Sequence, residues 1–214
     1  MIKDEKFEKL LEGIYQELLN ANMHFRIFWT TYAAPSDIAN IRNVYLTFFV
    51  FTMRSHNDRF CIAVHNVIKS NKHTSNFTKV FNYIKSNKNM QSIFSLREIE
   101  EMESTIKSHS CLIKRIAVIR NQYIAHNQLT KKHLKEDTNY KYEEGKALLI
   151  DLNSILQKIS HKYGNKGYWV DNLNLLDVSP KLNLEDMLQD LTEHRNDQIK
   201  RTREIIKQTR TSHN

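Results

Sequence analysis

The sequence is poor in the residues that break helices. It contains four glycines and two prolines in 214 residues, whereas a sheet-rich fold needs many more of both at its turns. This scarcity argues against sheet-rich and loop-rich classes and favours long, uninterrupted helices. We therefore predict an all-α protein, built as an up-and-down bundle of about five to six helices with a basic C-terminal helix.

Cysteine is equally scarce. Cys61 and Cys111 lie far apart, without the spacing of a metal site, and both have apolar neighbours. This pattern predicts two buried, reduced thiols in a cytoplasmic protein. The ten histidines form no HExxH motif and no matched pair, so we predict that the protein has no metal site and needs no cofactor.

Long hydrophobic runs are absent. The most apolar stretch, Val44 to Met53, has about half the length that a membrane-spanning helix requires. We predict a buried helix segment there and no membrane association. The first residues, Met1-Ile-Lys-Asp-Glu-Lys6, lack the basic and then apolar pattern of a signal peptide, so no export is expected.

Positive charge is plentiful, and it is concentrated near the end of the chain. The formal net charge is +8, which favours polyanionic partners such as RNA. The stretch from Arg195 to Arg210 holds six Lys or Arg against two Asp or Glu, and it is either a solvated helix face or a surface that follows phosphates. The candidate RNA-binding residues are Lys200, Arg201, Arg203, Lys207 and Arg210.

Apolar periodicity and capping signals place the helices. The predicted helices run from about 4 to 32, 37 to 70, 75 to 86, 95 to 126, 140 to 163 and 183 to 209. Ser95 and Glu98 fit a capping box, and Gly164 is a helix-ending glycine. We predict a helical bundle over 1–163, followed over 164–214 by an irregular segment and the basic helix.

The segment Ile119 to Gln128 carries the residues best suited to chemistry. It contains Arg120, Asn121 and His126, and a fixed cation beside a group that titrates near neutrality is suited to moving protons around a phosphate. An Arg followed by His after four to six residues is expected about once or twice by chance in a sequence of this composition, and Arg59 to His65 is a second match. Asn121, the small Ala125 and the apolar surroundings distinguish the first match.

With these residues the sequence resembles HEPN domains, whose signature is Arg-x(4-6)-His with a polar residue, often Asn, after the arginine. The match is Arg120-Asn121-x4-His126. The RNxxxAHN form, the upstream Phe28-Trp29-x-x-Tyr32 segment and a long apolar helix carrying Asp58-Arg59 look most like the AbiU-type branch associated with abortive infection. The resemblance covers about residues 5 to 160.

This resemblance implies a commonly dimeric, metal-independent endoribonuclease that acts in phage defence or as a toxin, with two copies of the motif forming one cleft across a homodimer. Arg120 and His126 would be catalytic, and Asn121 would support them. An antitoxin or regulatory partner is also implied. One toxin subgroup continues His-x-Tyr and is controlled through modification of that tyrosine, but Gln128 occupies the position here.

The chemistry gives these residues roles. RNA cleavage by the 2′-hydroxyl needs a base, an acid and a cation beside the phosphorane, and His126 and Arg120 supply such groups. Residues six apart on an α-helix, however, differ by about 240° and about 9 Å of rise. Either the helix frays before His126 or the partners come from two subunits.

Structural roles are the alternative for every candidate. Arg120 and Asn121 would then cap carbonyls or pair with acids, and His126 would end the helix. The polar residues of the second helix, Asp58, Arg59 and His65, either are satisfied structural groups or form a second layer behind the site. The alternative function is a non-catalytic helical module that binds RNA, a nucleotide or a protein.

Overall fold

The computed structural model describes residues 4–32, 43, 45–69, 73–124, 139–164 and 192–204, with side chains in the third long range up to residue 121. All regular structure within these ranges is helical. The helices are α1 (Glu5–Tyr32), α2 (Leu46–Ile68), α3 (Phe77–Ser86), the one-turn α4 (Lys88–Gln91), α5 (Leu96–Ser108), α6 (Ser110–Val118), α7 (Tyr142–Tyr163) and α8 (residues 192–204). The all-α prediction is confirmed.

Local capping signals set several helix ends where they were predicted. Ser95 and Glu98 form the predicted reciprocal capping box at the start of α5. Asn76, for which no cap was predicted, accepts a hydrogen bond from the Lys79 backbone at 2.9 Å and begins α3 close to the predicted start. Gly164 ends α7 with φ 86°, in the left-handed region that glycine adopts without a Cβ penalty.

The predicted helix from Ser95 towards His126 is interrupted at His109, which separates α5 from α6. The His109 Nε2 atom lies 2.7 Å from Asp151 Oδ2, so the break is held by a contact with α7. After α6, residues Ile119–Ile124 form a π-helical turn. His126, the predicted end of this helix, lies outside the described residues.

The chain divides into two compact units, and α1 and α2 contribute to both. The first unit consists of Met1–Arg26 and Ser55–Val178, and the second consists of Ile27–Arg54 and Ser179–Asn214. Arg120 and the polar residues of α2 from residue 55 onward belong to the first unit, whereas the described basic residues of α8 belong to the second.

In the first unit, α7 lies antiparallel to α1 and to the α5–α6 pair. Its C-terminal Tyr163 contacts Phe7 edge-on, with ring centroids 4.9 Å apart, and Asn153 exchanges amide hydrogen bonds with Asn22 at 3.2 Å. Gly145 permits the closest approach, because a Cβ there would overlap the Phe25 ring. The core side chains of α7 are Leu148, Leu149, Leu152, Ile155, Leu156 and Ile159.

The remaining helices of this unit bury one face each. α6 turns Leu112 and Ile116 inward and leaves Cys111 exposed. The prediction of two buried thiols is therefore correct for Cys61 and wrong for Cys111, because helical periodicity points residue 111 away from the face that Leu112 buries. The inward residues of α3 are Phe77, Val80, Phe81 and Ile84.

The start of α2, which belongs to the second unit, is largely exposed. The prediction of a buried segment from Val44 to Met53 is therefore wrong for most of its described residues. Phe49 is 2% exposed, but Phe48 is 61% and Phe51 is 71% exposed. This stretch is apolar on all sides of its helix, and a helix buries only the sides that meet a partner. The exposed apolar face comprises Tyr45, Leu46, Phe48, Val50 and Phe51.

Every helix in the described ranges is too short or too polar to cross a membrane.

Candidate functional site

Arg120 and Asn121 lie side by side on the π-helical turn that follows α6. Arg120 Nη1 donates a hydrogen bond to Asn121 Oδ1 at 2.9 Å. Ile119 is buried and anchors the turn, while Arg120 and Asn121 are half-buried. π-helical turns are rare and are frequent at functional sites, and this one shifts the backbone out of α-helical register at the start of the motif.

Arg120 forms no salt bridge with a carboxylate in the described part of the chain. Its neighbour along α6 behaves differently: Arg115 binds Glu144 with both guanidinium nitrogens, at 2.5 and 3.3 Å. The hydrogen bond from the Lys141 backbone, and then that from Arg115, lower the pKa of Glu144. The guanidinium of Arg120 is therefore not neutralised by a described acid, which counts against the alternative that it pairs with one.

His65 on α2 lies within range of the charge on Arg120. Burial lowers the pKa of the His65 imidazole, and the positive charges of Arg120 and Lys69 lower it further. Its Nε2 atom is buried without a hydrogen-bond partner among the described residues, an arrangement that costs about 1–3 kcal/mol. The charge of Arg120, from the first sequence match, therefore acts on the histidine of the second.

The other two polar residues predicted beside the site are placed differently. Asp58 acts electrostatically on Tyr140 and Cys61, whose pKa values are raised first by burial and then by nearby negative groups. Arg59 is exposed, and its charge contributes to lowering the pKa of His24.

Two further contacts in the first unit could not be predicted from neighbouring residues in the sequence. His24 on α1 and His56 on α2 meet with their Nδ1 atoms 2.7 Å apart, so one ring donates and the other accepts. Burial lowers the pKa of both, and the charges of His56 and then Arg59 lower that of His24 further. These rings come together only because α1 and α2 pack against each other.

The segment that leads into α7 is fixed to α2. Tyr140 donates its hydroxyl hydrogen to Asn57 Oδ1 at 2.5 Å, and its ring packs 5.8 Å from that of Phe60. The described residues that flank 125–138 are therefore held in place. Buried Ile119 anchors the π-helical turn before it, and the contacts of Tyr140 with α2 anchor the segment after it. His126 lies within 125–138, outside the described residues.

Three of the five basic C-terminal candidates lie within the described residues. Lys200, Arg201 and Arg203 are exposed on α8, and Lys200 Nζ lies 3.8 Å from Asp197. Lys207 and Arg210 lie outside the described residues. No group of three or more His, Cys, Asp or Glu within the described ranges is arranged to hold a metal ion, and the expectation of a metal-independent site stays a prediction.

The chain matches the model of a known protein family. The family model HEPN_AbiU2, described as AbiU2, matches residues 4–179. No curated protein and no solved structure matches the chain. The family match covers all of the described part of the first unit, including the Arg120–Asn121 turn.

Proposed function

Because the chain belongs to the AbiU2 family of HEPN domains, we propose that it is a metal-independent endoribonuclease that cuts RNA through the ribose 2′-hydroxyl. The observation that carries the proposal is the Arg120–Asn121 pair on a π-helical turn, with a half-buried guanidinium that no described carboxylate neutralises. We place this activity in phage defence or a toxin–antitoxin setting.

Arg120 has the chemistry to clamp a phosphate. The guanidinium is permanently charged and presents a planar set of donors that matches two phosphate oxygens. Asn121 accepts one of these hydrogen bonds at 2.9 Å, which fixes the orientation of the plane and leaves other donors for substrate. As the phosphorane forms, its growing negative charge is stabilised by this preorganised cation.

His126 is assigned the proton transfers. A neutral imidazole removes the proton of the 2′-hydroxyl, and a protonated imidazole protonates the departing 5′-oxygen. The products are a 2′,3′-cyclic phosphate and a free 5′-hydroxyl. DNA, which lacks the nucleophile, resists this route.

We assign a homodimer contact to the exposed apolar face defined above, Tyr45, Leu46, Phe48, Val50 and Phe51. Exposed apolar clusters of this kind mark interaction surfaces. The stretch Val44 to Met53 contains no charged residue, so two copies meet there without like-charge repulsion despite the net charge of +8. A second copy supplies the second Arg–His motif of the composite site.

The test is incubation of the purified full chain with single-stranded RNA in the presence of EDTA. We expect the wild-type protein to cut the RNA, and Arg120→Ala and His126→Ala to lose cleavage by at least about 100-fold. Arg115→Ala is the matched control, since it removes an arginine from α6, the helix that precedes the π-helical turn, and retains the motif. RNA that stays intact with wild-type protein, or cleavage that survives both motif substitutions, contradicts the proposal.

The second candidate is a non-catalytic module that binds RNA, and the exposed basic residues of α8 favour it. Such a module holds RNA through phosphate contacts alone, so its affinity falls steeply with salt while no product forms. The cleavage assay and a filter-binding assay on the same RNA separate the two candidates: binding without product supports the module.

A further inference from the structure

The contact between His24 and His56 has no part in the proposed cleavage step, and it joins two helices. His24 Nδ1 of α1 lies 2.7 Å from His56 Nδ1 of α2. The two ring centroids are 4.9 Å apart, the ring planes are inclined by 40°, and both rings are half-buried. At this distance one nitrogen donates a hydrogen bond to the other.

This geometry limits the number of protons that the pair can carry. In a neutral imidazole one ring nitrogen is a donor and the other is an acceptor, whereas both are donors in the imidazolium ion. The contact therefore forms when both rings are neutral or when one of them is protonated. When both are protonated, two N–H groups and two positive charges face each other, and the rings separate.

The pair lies where both helices leave the first unit. His24 is three residues before Ile27, at which α1 passes into the second unit, and His56 is two residues after Arg54, the last residue of α2 in the second unit. The hydrogen bond thus joins α1 to α2 at the edge of the first unit. Further inside this unit, the rings of Phe25 and Phe60 join the same helices, with centroids 5.0 Å apart.

The surroundings of the pair favour neutral rings. Burial lowers the pKa of both imidazoles, and the charges of His56 and then of Arg59 lower the pKa of His24 further. The positive charge of Arg59 therefore adds to the repulsion when both rings are protonated. Three more titratable groups lie within two positions of the pair or contact its direct neighbours: Asp58 in α2, Tyr140, which donates to Asn57, and Tyr142, which stacks on Phe25.

We propose that His24 and His56 form a pH-sensitive clasp, which holds α1 against α2 while at least one ring is neutral and opens when both rings are protonated. The clasp is independent of the proposed RNA cleavage. Its contribution is complete above the ordinary histidine pKa of about 6.5 and is lost as the pH falls through the lowered folded values. The apolar contact of Phe25 with Phe60 does not titrate, so the opening is local.

Hydrogen–deuterium exchange of the full-length chain, read by mass spectrometry at pH 7 and pH 5, tests the clasp. Labelling times are scaled for the pH dependence of amide exchange, so that the remaining differences report on local opening. We expect the peptides that contain His24 and His56 to lose protection by about tenfold at pH 5. Each pH unit below the pKa of a group weakens by about tenfold a contact that needs its neutral form.

The internal control is α5, which begins at Glu98 and its capping box. The pKa of Glu98 is about 2, so this carboxylate stays ionised at pH 5 and the peptides of α5 should keep their protection. Unchanged protection of both histidine peptides at pH 5 overturns the proposal. An equal loss of protection in α5 also overturns it, because the loss is then global.

His56→Gln is the matched variant. Its amide oxygen accepts a hydrogen bond from His24 Nδ1–H, which an imidazolium donates as a neutral ring does, so the variant should keep its protection at pH 5. His24→Gln is the reciprocal variant and replaces it if circular dichroism at pH 7 shows that His56→Gln does not fold. A loss of protection at pH 5 as large in the folded variant as in the wild-type protein overturns the proposal.

Discussion

Arg115 and Arg120 lie five residues apart on consecutive turns, and within the described residues only Arg115 is bound by a carboxylate. Both of its terminal nitrogens reach Glu144, whereas the hydrogen bond of Arg120 goes to the neutral amide of Asn121. The first arrangement fixes α6 to the start of α7. The second leaves the positive charge of the half-buried Arg120 without an acidic partner among the described residues, and an anion is the fitting partner.

Substitutions of the two arginines should therefore have opposite effects on RNA cleavage and on stability. Arg120→Ala should lower RNA cleavage by at least about 100-fold, because a preorganised cation at the phosphorane is lost, and should leave the melting temperature almost unchanged. Arg115→Ala should retain cleavage and lose about 1 kcal/mol of unfolding free energy, since its ion pair is partly exposed. Cleavage rates and urea denaturation of both variants measure this, and equal loss of cleavage in the two contradicts the assignment.

The exposed apolar face predicts the oligomeric state. Phe48→Asp with Phe51→Asp places two carboxylates on this face, and their burial against a second copy would be costly. We expect a dimer for the wild-type protein and a monomer for the double variant, measured by sedimentation at several concentrations. Ile150→Asp, an exposed apolar residue on α7, is the control, and a dimer in both variants contradicts the assigned surface.

Three histidines predict how stability depends on pH. His24, His56 and His65 all have pKa values below the usual 6.5, so the unfolded chain binds protons more readily than the folded chain. Their contribution to stability is complete above about pH 6.5 and is lost as the pH falls through the lowered folded values. The free energy of unfolding should therefore decrease between pH 7 and pH 5.

The contact between His24 and His56 accounts for part of this decrease. Changing both residues to Gln keeps side chains that hydrogen-bond and removes two titrating groups, so the decline between pH 7 and pH 5 should become shallower. Urea denaturation across this pH range measures the slopes, and identical curves for wild-type protein and the double variant would disprove the interpretation.

The start of α5 gives a stability prediction independent of function. Hydrogen bonds from Lys162 and from Ser95 lower the pKa of Glu98 to about 2. Ser95→Ala should cost about 1 kcal/mol, because a helix N-cap is lost. Ser104→Ala, in the exposed middle of the same helix, should be neutral, and denaturation of the two variants gives the comparison.

The parts of the fold that local signals determine could be predicted from the sequence. The extent of α1, the capping box at Ser95 and Glu98 and the end of α7 at Gly164 all depend on residues close to one another along the chain. The same holds for the Arg120–Asn121 pair, whose two members are adjacent in sequence. Short-range hydrogen bonds and periodicity are sufficient in these cases.

The features that the sequence did not reveal depend on distant partners. The break at His109 is held by Asp151, which lies 42 residues further along, and His24 meets His56 across two helices. The action of the Arg120 charge on His65 also links residues that are far apart in the sequence. The face from Tyr45 to Phe51 was misjudged for a different reason, since hydrophobicity indicates a preference for burial and does not supply the partner.

The most direct test of the central claim uses one RNA oligonucleotide in two forms in the presence of EDTA. One form is all-ribose, and the other carries a single 2′-deoxy residue on the 5′ side of the mapped cut. The wild-type chain should cut the first to leave a 2′,3′-cyclic phosphate and should fail to cut the second at that bond. Equal cleavage of both forms, or cleavage of the all-ribose form by Arg120→Ala at the wild-type rate, would contradict 2′-hydroxyl attack at a phosphate held by Arg120.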